Sequence, residues 1–564
     1  MRTLHLIIVL FCVACGSGSE PPQEYVEQGR GIIADHAMVV CAHPAAAKIG
    51  QQILKKKGNA VDAAVATQLA LAVCYPNAGN LGGGGFMIVR LKDGSTDALD
   101  FREVAPSGAT RDMFLDKDGE VREGVSLETG LAVGIPGTVD GIFKAHAKYG
   151  HLPFAELIQP AIDLARNGFE VTALQAEELN DLDSLFRVRN PGYHYFEKET
   201  PWQYGDILKQ EHLARTLEHI RDLGRDGFYK GETAEAIVKA SARTGGIITA
   251  EDLSAYNATW RKPVEDTYRK YRIISMPPPS SGGVILLQML KMLENYEVAS
   301  LGFQSPDAMH LIVEVEKRAY ADRAQHLGDP DFWKVPLDNM LDKNYLKERM
   351  ANYQPTATRI SDSIHAGAFT EHEETTHLSV IDADGNAVSL TTTLNDNYGC
   401  KIFADEAGFL LNNEMDDFNA KPGVPNMYGL VGGEANAVAG GKRMLSSMTP
   451  TIVERDDKLW MVIGSPGGST IITSVLQGFL NVAEFKMTMQ EAVEAPRFHH
   501  QWLPDLLQVE EGRISSQVLH ALEARGHRIK DRGPMGRVDA ILIMDDGKLE
   551  GGADPRGDDT AEGF

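Results

Sequence analysis

Glu374-Thr375-Thr376-His377-Leu378-Ser379-Val380-Ile381, then Asp382-Ala383-Asp384-Gly385-Asn386, then residues 387–395, form the stretch on which the reading of this chain turns. Strand-forming residues flank a cluster of turn residues, which reads as strand, turn, strand. A three- or five-residue loop centred on Asp384 pairs residues whose numbers sum to 768. Thr375 then lies opposite Thr393, close enough for side chains to meet. A two-residue Asp-Gly turn would pair Thr375 with Leu394 instead, so the register depends on loop length.

Just upstream, residues 351–374 are polar and aperiodic and read as an exposed linker. A hydroxyl residue that opens a strand after such a linker has a particular chemistry available. If the chain is cut there, Thr375 gains a free α-amine, which titrates near neutrality and can serve as the base for its own hydroxyl. Threonine-rich hairpins are also ordinary strand structure, so this pattern alone leaves both readings open.

Further out, residues 36–44 read as a short strand and a loop, and residues 45–57 as a helix capped at Gly58. Residues 61–73 are apolar nearly all round and read as a buried helix. Four glycines at 82–85 permit close backbone approach but are followed by no Gly-Lys-Ser/Thr, so they form no phosphate loop. Residues 86–91 and 96–101 read as a hairpin. Residues 140–350 read as mostly helical, punctuated at Pro201 and at 277–283, with a strong helix over 284–293. No repeat of fixed period is present.

The chain has 564 residues, 43% hydrophobic and 24% charged, in the range of soluble globular proteins. A net charge of -24 argues against nucleic acid or anionic lipid as the main partner. Arg2 and the short apolar run 6–13 read as an export signal over residues 1–14, too short to span a bilayer. Cys12-Val13-Ala14-Cys15 resembles a bacterial lipobox, with Cys12 where leucine is usual. Cys15 then becomes a lipidated N-terminus and residues 15–30 a flexible tether; the alternative is simple cleavage near Ala14. Either way the protein is expected to be exported by a bacterium, into the periplasm or onto a membrane anchor. Five cysteines make no disulfide scaffold, and Cys41 and Cys74 sit in apolar runs as small buried residues. No pair has zinc-ligand spacing, and the adjacent His499 and His500 do not face one metal, so no metal is expected.

A series of long runs then narrows the reading. Thr-Thr-His-Leu-Ser-Val (375–380), Thr-Leu-Asn (393–395), Leu-Leu-Asn-Asn-Glu-Met-Asp-Asp-Phe (410–418) and Lys-Pro-Gly-Val-Pro-Asn-Met-Tyr-Gly (421–429) follow one another. Leu-Ser-Ser-Met-Thr-Pro-Thr (445–451), Gly-Ser-Pro-Gly-Gly-Ser (464–469) and Pro-Arg-Phe-His-His-Gln-Trp (496–502) continue them. Earlier come Gly-Asn-Ala-Val-Asp-Ala-Ala-Val-Ala (58–66), the glycine run and Asp-Phe-Arg-Glu (100–103). In this order they resemble the γ-glutamyltranspeptidases, of the N-terminal-nucleophile hydrolase superfamily. The resemblance covers nearly the whole chain after the signal.

It implies an α/β fold, a four-layer αββα sandwich built jointly by a large subunit (31–374) and a small one (375–564), parted by self-cleavage between Glu374 and Thr375. It implies γ-glutamyl transfer from glutathione or other γ-glutamyl compounds to water, amino acids or dipeptides, with no cofactor. Thr375 is the implied nucleophile, Thr393 orients it, and the Gly467 and Gly468 N–H groups form the oxyanion hole. Arg102, Ser446 and Ser447 take the substrate α-carboxylate, while Asn395, Glu414 and Asp417 take its α-ammonium. The family holds Gln or Glu at the position of Glu414. Residues 422–433 correspond to a lid loop, with Tyr428 as its tyrosine. Singly, each has an ordinary reading: a surface arginine, a solvated acidic turn, plain loop serines. As a set they complement one zwitterion. Two alternatives stay open: an acylase for acyl groups without the amine, whose substrate would leave Glu414 and Asp417 unpaired, and an uncut, non-catalytic binding protein.

Overall fold

The computed structural model of the protein describes residues 29–359, 361 and 375–564. The expected signal, Cys15, the tether up to residue 28 and Glu374 lie outside the described residues. Gly29 and Arg30 are docked: the Gly29 carbonyl accepts from Thr488 Oγ1 at 2.9 Å, and Arg30 pairs with Glu550 at 3.2 Å.

The hairpin forms as read. Thr376–Ile381 pairs antiparallel with Ala387–Thr393, Thr376 facing Thr392 and Ile381 facing Ala387. The five-residue loop is closed by Asp382, whose N–H donates to the Asn386 carbonyl at 3.0 Å. Its Oδ1 accepts from the N–H groups of Asp384 and Asn386 at 3.0 and 2.9 Å. This self-bonded loop, not the two-residue turn, selects the register.

Two seven-stranded antiparallel sheets make the centre. The first runs Thr560–Gly563, Met38–Cys41, Thr376–Ile381, Ala387–Thr393, Gly84–Arg90, Thr96–Phe101, Thr259–Arg261. The second runs Ile32–Ala34, Leu549–Gly552, Asp539–Ile543, Lys458–Gly464, Thr451–Arg455, Tyr271–Ser275, Val264–Tyr268. Both draw strands from before and after residue 374. Side chains alternate along each strand, so each sheet buries two faces. Met38, Val40, Phe86, Ile88 and Ile381 of the first sheet meet Ile274, Ile452, Val462 and Ile541 of the second. On the far face of the first sheet, Val39, Leu378, Val380 and Leu390 share a core with the helices Pro44–Lys55 and Ala60–Cys74. On the far face of the second, Ile273, Val453 and Met461 pack with Gly282–Leu293, Pro306–His326 and Ile471–Ala483. The order helix, sheet, sheet, helix is the expected αββα sandwich.

The Ala60–Cys74 helix is buried along its whole length and starts on a reciprocal Asn59–Asp62 capping box. Two local expectations need correction. The helix Pro44–Lys55 ends through Lys57 in the left-handed region (φ 67), not through Gly58; a Cβ at Gly58 would stand 2.6 Å from the Ile53 side chain, so that glycine serves close packing. Within 140–350, three strands between residues 259 and 275 join the central sheets. They are short and lie between helices, so helical periodicity around them hid them. Cys41, Cys74 and Cys400 are buried and free. Among the described residues no helix is long and apolar enough to cross a membrane.

Candidate active site

Thr375 stands at the head of the central Thr376–Ile381 strand and is 3% exposed. By strand alternation it shares the inter-sheet face with His377, Ser379 and Ile381. Its hydroxyl lies 3.4 Å from Thr393 Oγ1, as the register requires. Thr393 Oγ1 also accepts from the Asn395 N–H at 2.8 Å, which fixes the threonine pair to the end of the hairpin. The glycine run closes onto this point, since a Cβ at Gly83 would sit 2.0 Å from the Thr393 carbonyl oxygen. Two residues along, His377 is fully enclosed. Its Nδ1 meets Thr391 Oγ1 at 2.8 Å and its Nε2 meets Ser379 Oγ at 3.1 Å, and burial pushes its pKa down to about 3. It is therefore a neutral support under the nucleophile and carries no charge there at physiological pH.

The cavity beside Thr375 is lined by Arg102, Thr393, Asn395, Glu414, Asp417, Tyr428, Ser446, Ser447 and Gly468, with Leu430, Met448 and Ile471 supplying its apolar wall. Its floor is an ion cluster. Arg102, 1% exposed, binds Glu414 through Nη1 and Asp417 through Nη2, the latter at 2.5 Å. Glu103 Oε2 is 3.7 Å from the same guanidinium. Burial opposes the charge on Arg102, but Glu414, Asp417 and Glu103 outweigh it and hold its pKa above the ordinary value. Burial raises Glu414 and Asp417 against the pull of Arg102, and raises Glu103 to about 7. Glu414 Oε2 has no hydrogen-bond partner among the described residues, although it is buried. A buried acceptor left unpaired is destabilising by about 1–3 kcal/mol unless something donates to it.

The serine pair lines the same cavity. Ser446 is pinned by its backbone, its N–H donating to the Pro279 carbonyl at 3.0 Å and its carbonyl accepting from the Ser281 N–H at 2.8 Å. Gly467 (φ 129) and Gly468 (φ 52) follow the Lys458–Gly464 strand in conformations that side chains resist. The turn they make is closed through the Gly467 carbonyl, which accepts from Thr470 N and Oγ1, not through the two glycine N–H groups.

The loop 422–433 lies over this cavity. Tyr428, 4% exposed, donates to the Asn395 carbonyl at 2.6 Å and is 2.8 Å from Asn395 Oδ1. A Cβ on Gly468 would stand 2.6 Å from the Tyr428 ring, so glycine there makes room for the tyrosine. Asp416 and Asp417 tie the loop down from below. Asp416 Oδ2 accepts from the Met427 N–H at 3.0 Å and Asp417 Oδ1 from Asn426 Nδ2 at 3.2 Å. Asp416 also accepts from Ser126 Oγ at 2.6 Å, and burial raises its pKa to about 7.

The structure thus gathers Thr375, Thr393, Arg102, Asn395, Glu414, Asp417, Tyr428, Ser446, Ser447 and Gly468 around one cavity and sets Gly467 beside it. Sequence reasoning missed Glu103, which closes the floor, and Asp416, which was readable only as part of an acidic turn. His499 and His500 are buried and hydrogen-bonded to protein: His499 to Thr473 and Gln501, each at 2.9 Å, and His500 to Asp505 at 3.2 Å. Among the described residues no group of three or more His, Cys, Asp or Glu is placed to hold a metal.

A threonine heading a central strand of an αββα sandwich, with a cavity and a twin-glycine turn beside it, defines the class of N-terminal nucleophile hydrolases. The profile of the Gamma-glutamyltranspeptidase family matches residues 46–564. The glutathione hydrolase proenzyme of Escherichia coli is 49% identical over 98% of this chain and 96% of its own. An Acylase ACY 1 proenzyme of Pseudomonas sp. (strain V22) is 38% identical over 93% of this chain and 92% of its own. Among solved structures, a cephalosporin acylase from Bacillus halodurans superposes with TM-score 0.81 at 26% identity, covering 97% of this chain and 99% of that one. A chain of Helicobacter pylori gamma-glutamyltranspeptidase matches with TM-score 0.55 at 43% identity, over 62% of this chain and 100% of its own. The chain belongs to the γ-glutamyltranspeptidase family.

Proposed function

We propose that this protein is a glutathione hydrolase and γ-glutamyltransferase whose nucleophile, Thr375, is released by self-cleavage after Glu374. The observation that carries the substrate assignment is the floor of the cavity, where one buried arginine faces two carboxylates and Glu414 Oε2 finds no hydrogen-bond partner among the described residues. A γ-glutamyl group ends in an α-carboxylate and an α-ammonium. Inserted here, its carboxylate takes over Arg102 and the serine hydroxyls. Its ammonium takes over Glu414, Asp417 and the Asn395 side-chain oxygen. The exchange conserves charge inside a buried site, which a singly charged ligand cannot do.

The chemistry follows from the position of the threonine. Thr375 Oγ1 first attacks the Glu374 carbonyl; the C–N bond breaks, the amine leaves with the hydroxyl proton, and water hydrolyses the resulting ester. The freed α-amine is then the base for the next attack. Thr375 Oγ1 adds to the γ-carbonyl carbon of glutathione and its proton passes to the amine. The oxyanion is met by the Gly467 and Gly468 N–H groups, a donor set worth about 3–4 kcal/mol per member. Collapse expels cysteinylglycine, which takes the proton, and leaves a γ-glutamyl-Thr375 ester. Water, an amino acid or a dipeptide then takes the acyl group. The division into 31–374 and 375–564 is supported by the Helicobacter pylori chain, whose whole length matches 62% of this one, close to the 344 of 564 residues in the larger piece. Export, with or without a lipid on Cys15, rests on the N-terminal sequence.

The acylase reading has two supports, the Pseudomonas relative and the cephalosporin acylase fold. An acyl group without an amine would leave Glu414 and Asp417 buried and uncompensated, which disfavours it here. The deciding experiment purifies the protein, reads the N-terminus of the smaller fragment, and compares γ-glutamyl-anilide with glutaryl-anilide hydrolysis, Thr375→Ala serving as control. A fragment beginning at Thr375 and a strong preference for the γ-glutamyl donor are expected. An uncut active chain, or equal use of both donors, overturns the reading.

A further inference from the structure

Arg323 closes the last turn of the Pro306–His326 helix and is 5% exposed. A buried guanidinium normally faces a carboxylate. Here both hydrogen-bond partners among the described residues are neutral hydroxyls: Nε donates to Ser281 Oγ at 2.9 Å, and Nη2 to Ser447 Oγ at 3.2 Å. Burial lowers its pKa, with Tyr320 and Asp417 opposing and Arg102 adding to the effect.

The direction of these bonds matters. A guanidinium can only donate, so Ser447 Oγ must accept from it. The Ser447 hydroxyl proton therefore points elsewhere, and Ser447 lines the cavity. Ser281 Oγ likewise accepts from Arg323 and donates a hydrogen bond to the Ser446 carbonyl at 2.6 Å. One cation thus orders both members of the serine pair, Ser447 through its hydroxyl and Ser446 through its backbone. It also brings a second positive charge to the Ser447 wall of the cavity, near enough to Asp417 and Arg102 to feel both.

We propose that Arg323 is a positioning residue for the substrate α-carboxylate: it aims the Ser447 hydroxyl into the cavity and supplies charge that an incoming carboxylate neutralises. The inference rests on the reading that Ser446 and Ser447 meet that carboxylate. It predicts selectivity for the α-carboxylate, not a general need for the residue.

The test uses the full-length, self-cleaved enzyme and two donors, γ-glutamyl-p-nitroanilide and 4-aminobutyryl-p-nitroanilide, which lacks the α-carboxylate. Arg323→Met should raise KM for the first donor about tenfold or more with a smaller effect on kcat, as loss of charge-assisted bonding implies. The ratio of kcat/KM between the donors should fall by about the same factor. Arg323→Lys, which keeps charge but cannot serve both serines, should recover part of the loss. In Ser447→Ala, adding Arg323→Met should lower the donor ratio by less than it does in wild type. If Arg323→Met is not cleaved into two chains, Arg323→Lys carries the same comparison. A donor ratio within about twofold of wild type in the cleaved variants overturns the proposal and leaves Arg323 a packing residue. If Ser447→Ala alone leaves KM for the γ-glutamyl donor unchanged, the serine reading fails, and that result is distinct from failure at Arg323.

Discussion

In the nucleophile hairpin, partners such as Thr375 and Thr393 lie 18 residues apart, and their meeting is set by one self-bonded loop. In the ionic floor, Arg102 meets Glu414 and Asp417 across 312 and 315 residues, and only when the whole sandwich has formed. The hairpin is specified locally, and its two strands carry no Asp, Glu, Lys or Arg. The floor is specified globally and holds charges that burial penalises. Loss of the nucleophile hydroxyl at the hairpin's end should therefore remove chemistry and spare the fold, whereas damage to the floor should strike both.

The sharpest break in this comparison is Thr375→Ala. Chain scission should vanish and γ-glutamyl turnover should fall by about 10⁴-fold or more, as for loss of any catalytic nucleophile. A melting temperature within a degree or two of uncut wild type would place the loss in chemistry alone. Arg102→Met comes next. Leaving two buried carboxylates without their cation costs about 3–5 kcal/mol, so a lowered melting temperature should accompany the loss of activity. Adding Glu414→Gln and Asp417→Asn should restore stability without restoring turnover. If Arg102→Met melts like wild type, the floor does not carry the load assigned to it.

A subtler break lies between floor and lid. Asp416 has a folded pKa of about 7, well above the ordinary aspartate value of about 4 in the unfolded chain. Between those values the folded protein holds a proton that the unfolded chain has lost, so this group lowers stability as pH rises from about 4 to about 7. Asp416→Asn removes that slope. Its stability relative to wild type should improve between pH 5 and pH 8, by up to about 3 kcal/mol, read as melting temperature against pH. A difference that stays constant across that range would rule the titration out. The smallest effect is expected from Tyr428→Phe, which deletes the hydroxyl bonded to Asn395. About 1 kcal/mol of lid closure should be lost, seen as a several-fold rise in KM. Unchanged KM and kcat would show that this loop does not gate the cavity.

The same contrast explains what the sequence allowed to be read. The hairpin was legible as strand, turn, strand because Asp382-Ala383-Asp384-Gly385-Asn386 carries its own turn chemistry, while the choice between its two registers waited on the length of the loop. The Ala60–Cys74 helix was legible because it is apolar on every side. Nothing local announces that Arg102 is buried, or that Glu414 lies against it; those assignments came from resemblance to a family. Asp416 and Arg323 escaped because their partners, Met427 and Ser126 for one, Ser281 and Ser447 for the other, lie on separate segments. The strands between 259 and 275 escaped because their identity is conferred by neighbours such as Thr451–Arg455 and Thr96–Phe101.

The Thr376–Ile381 strand has Met38–Cys41 on one side and Ala387–Thr393 on the other. After the proposed cut, one neighbour belongs to each polypeptide. Parting the two pieces would mean stripping a ladder from the middle of a sheet, so dissociation and unfolding become a single event. Dilution well below the melting temperature should then fail to part the pair, whereas the melting temperature of the cut protein should rise with its concentration, because unfolding releases two chains. A nicked enzyme released into a large volume would stay whole for as long as it stays folded.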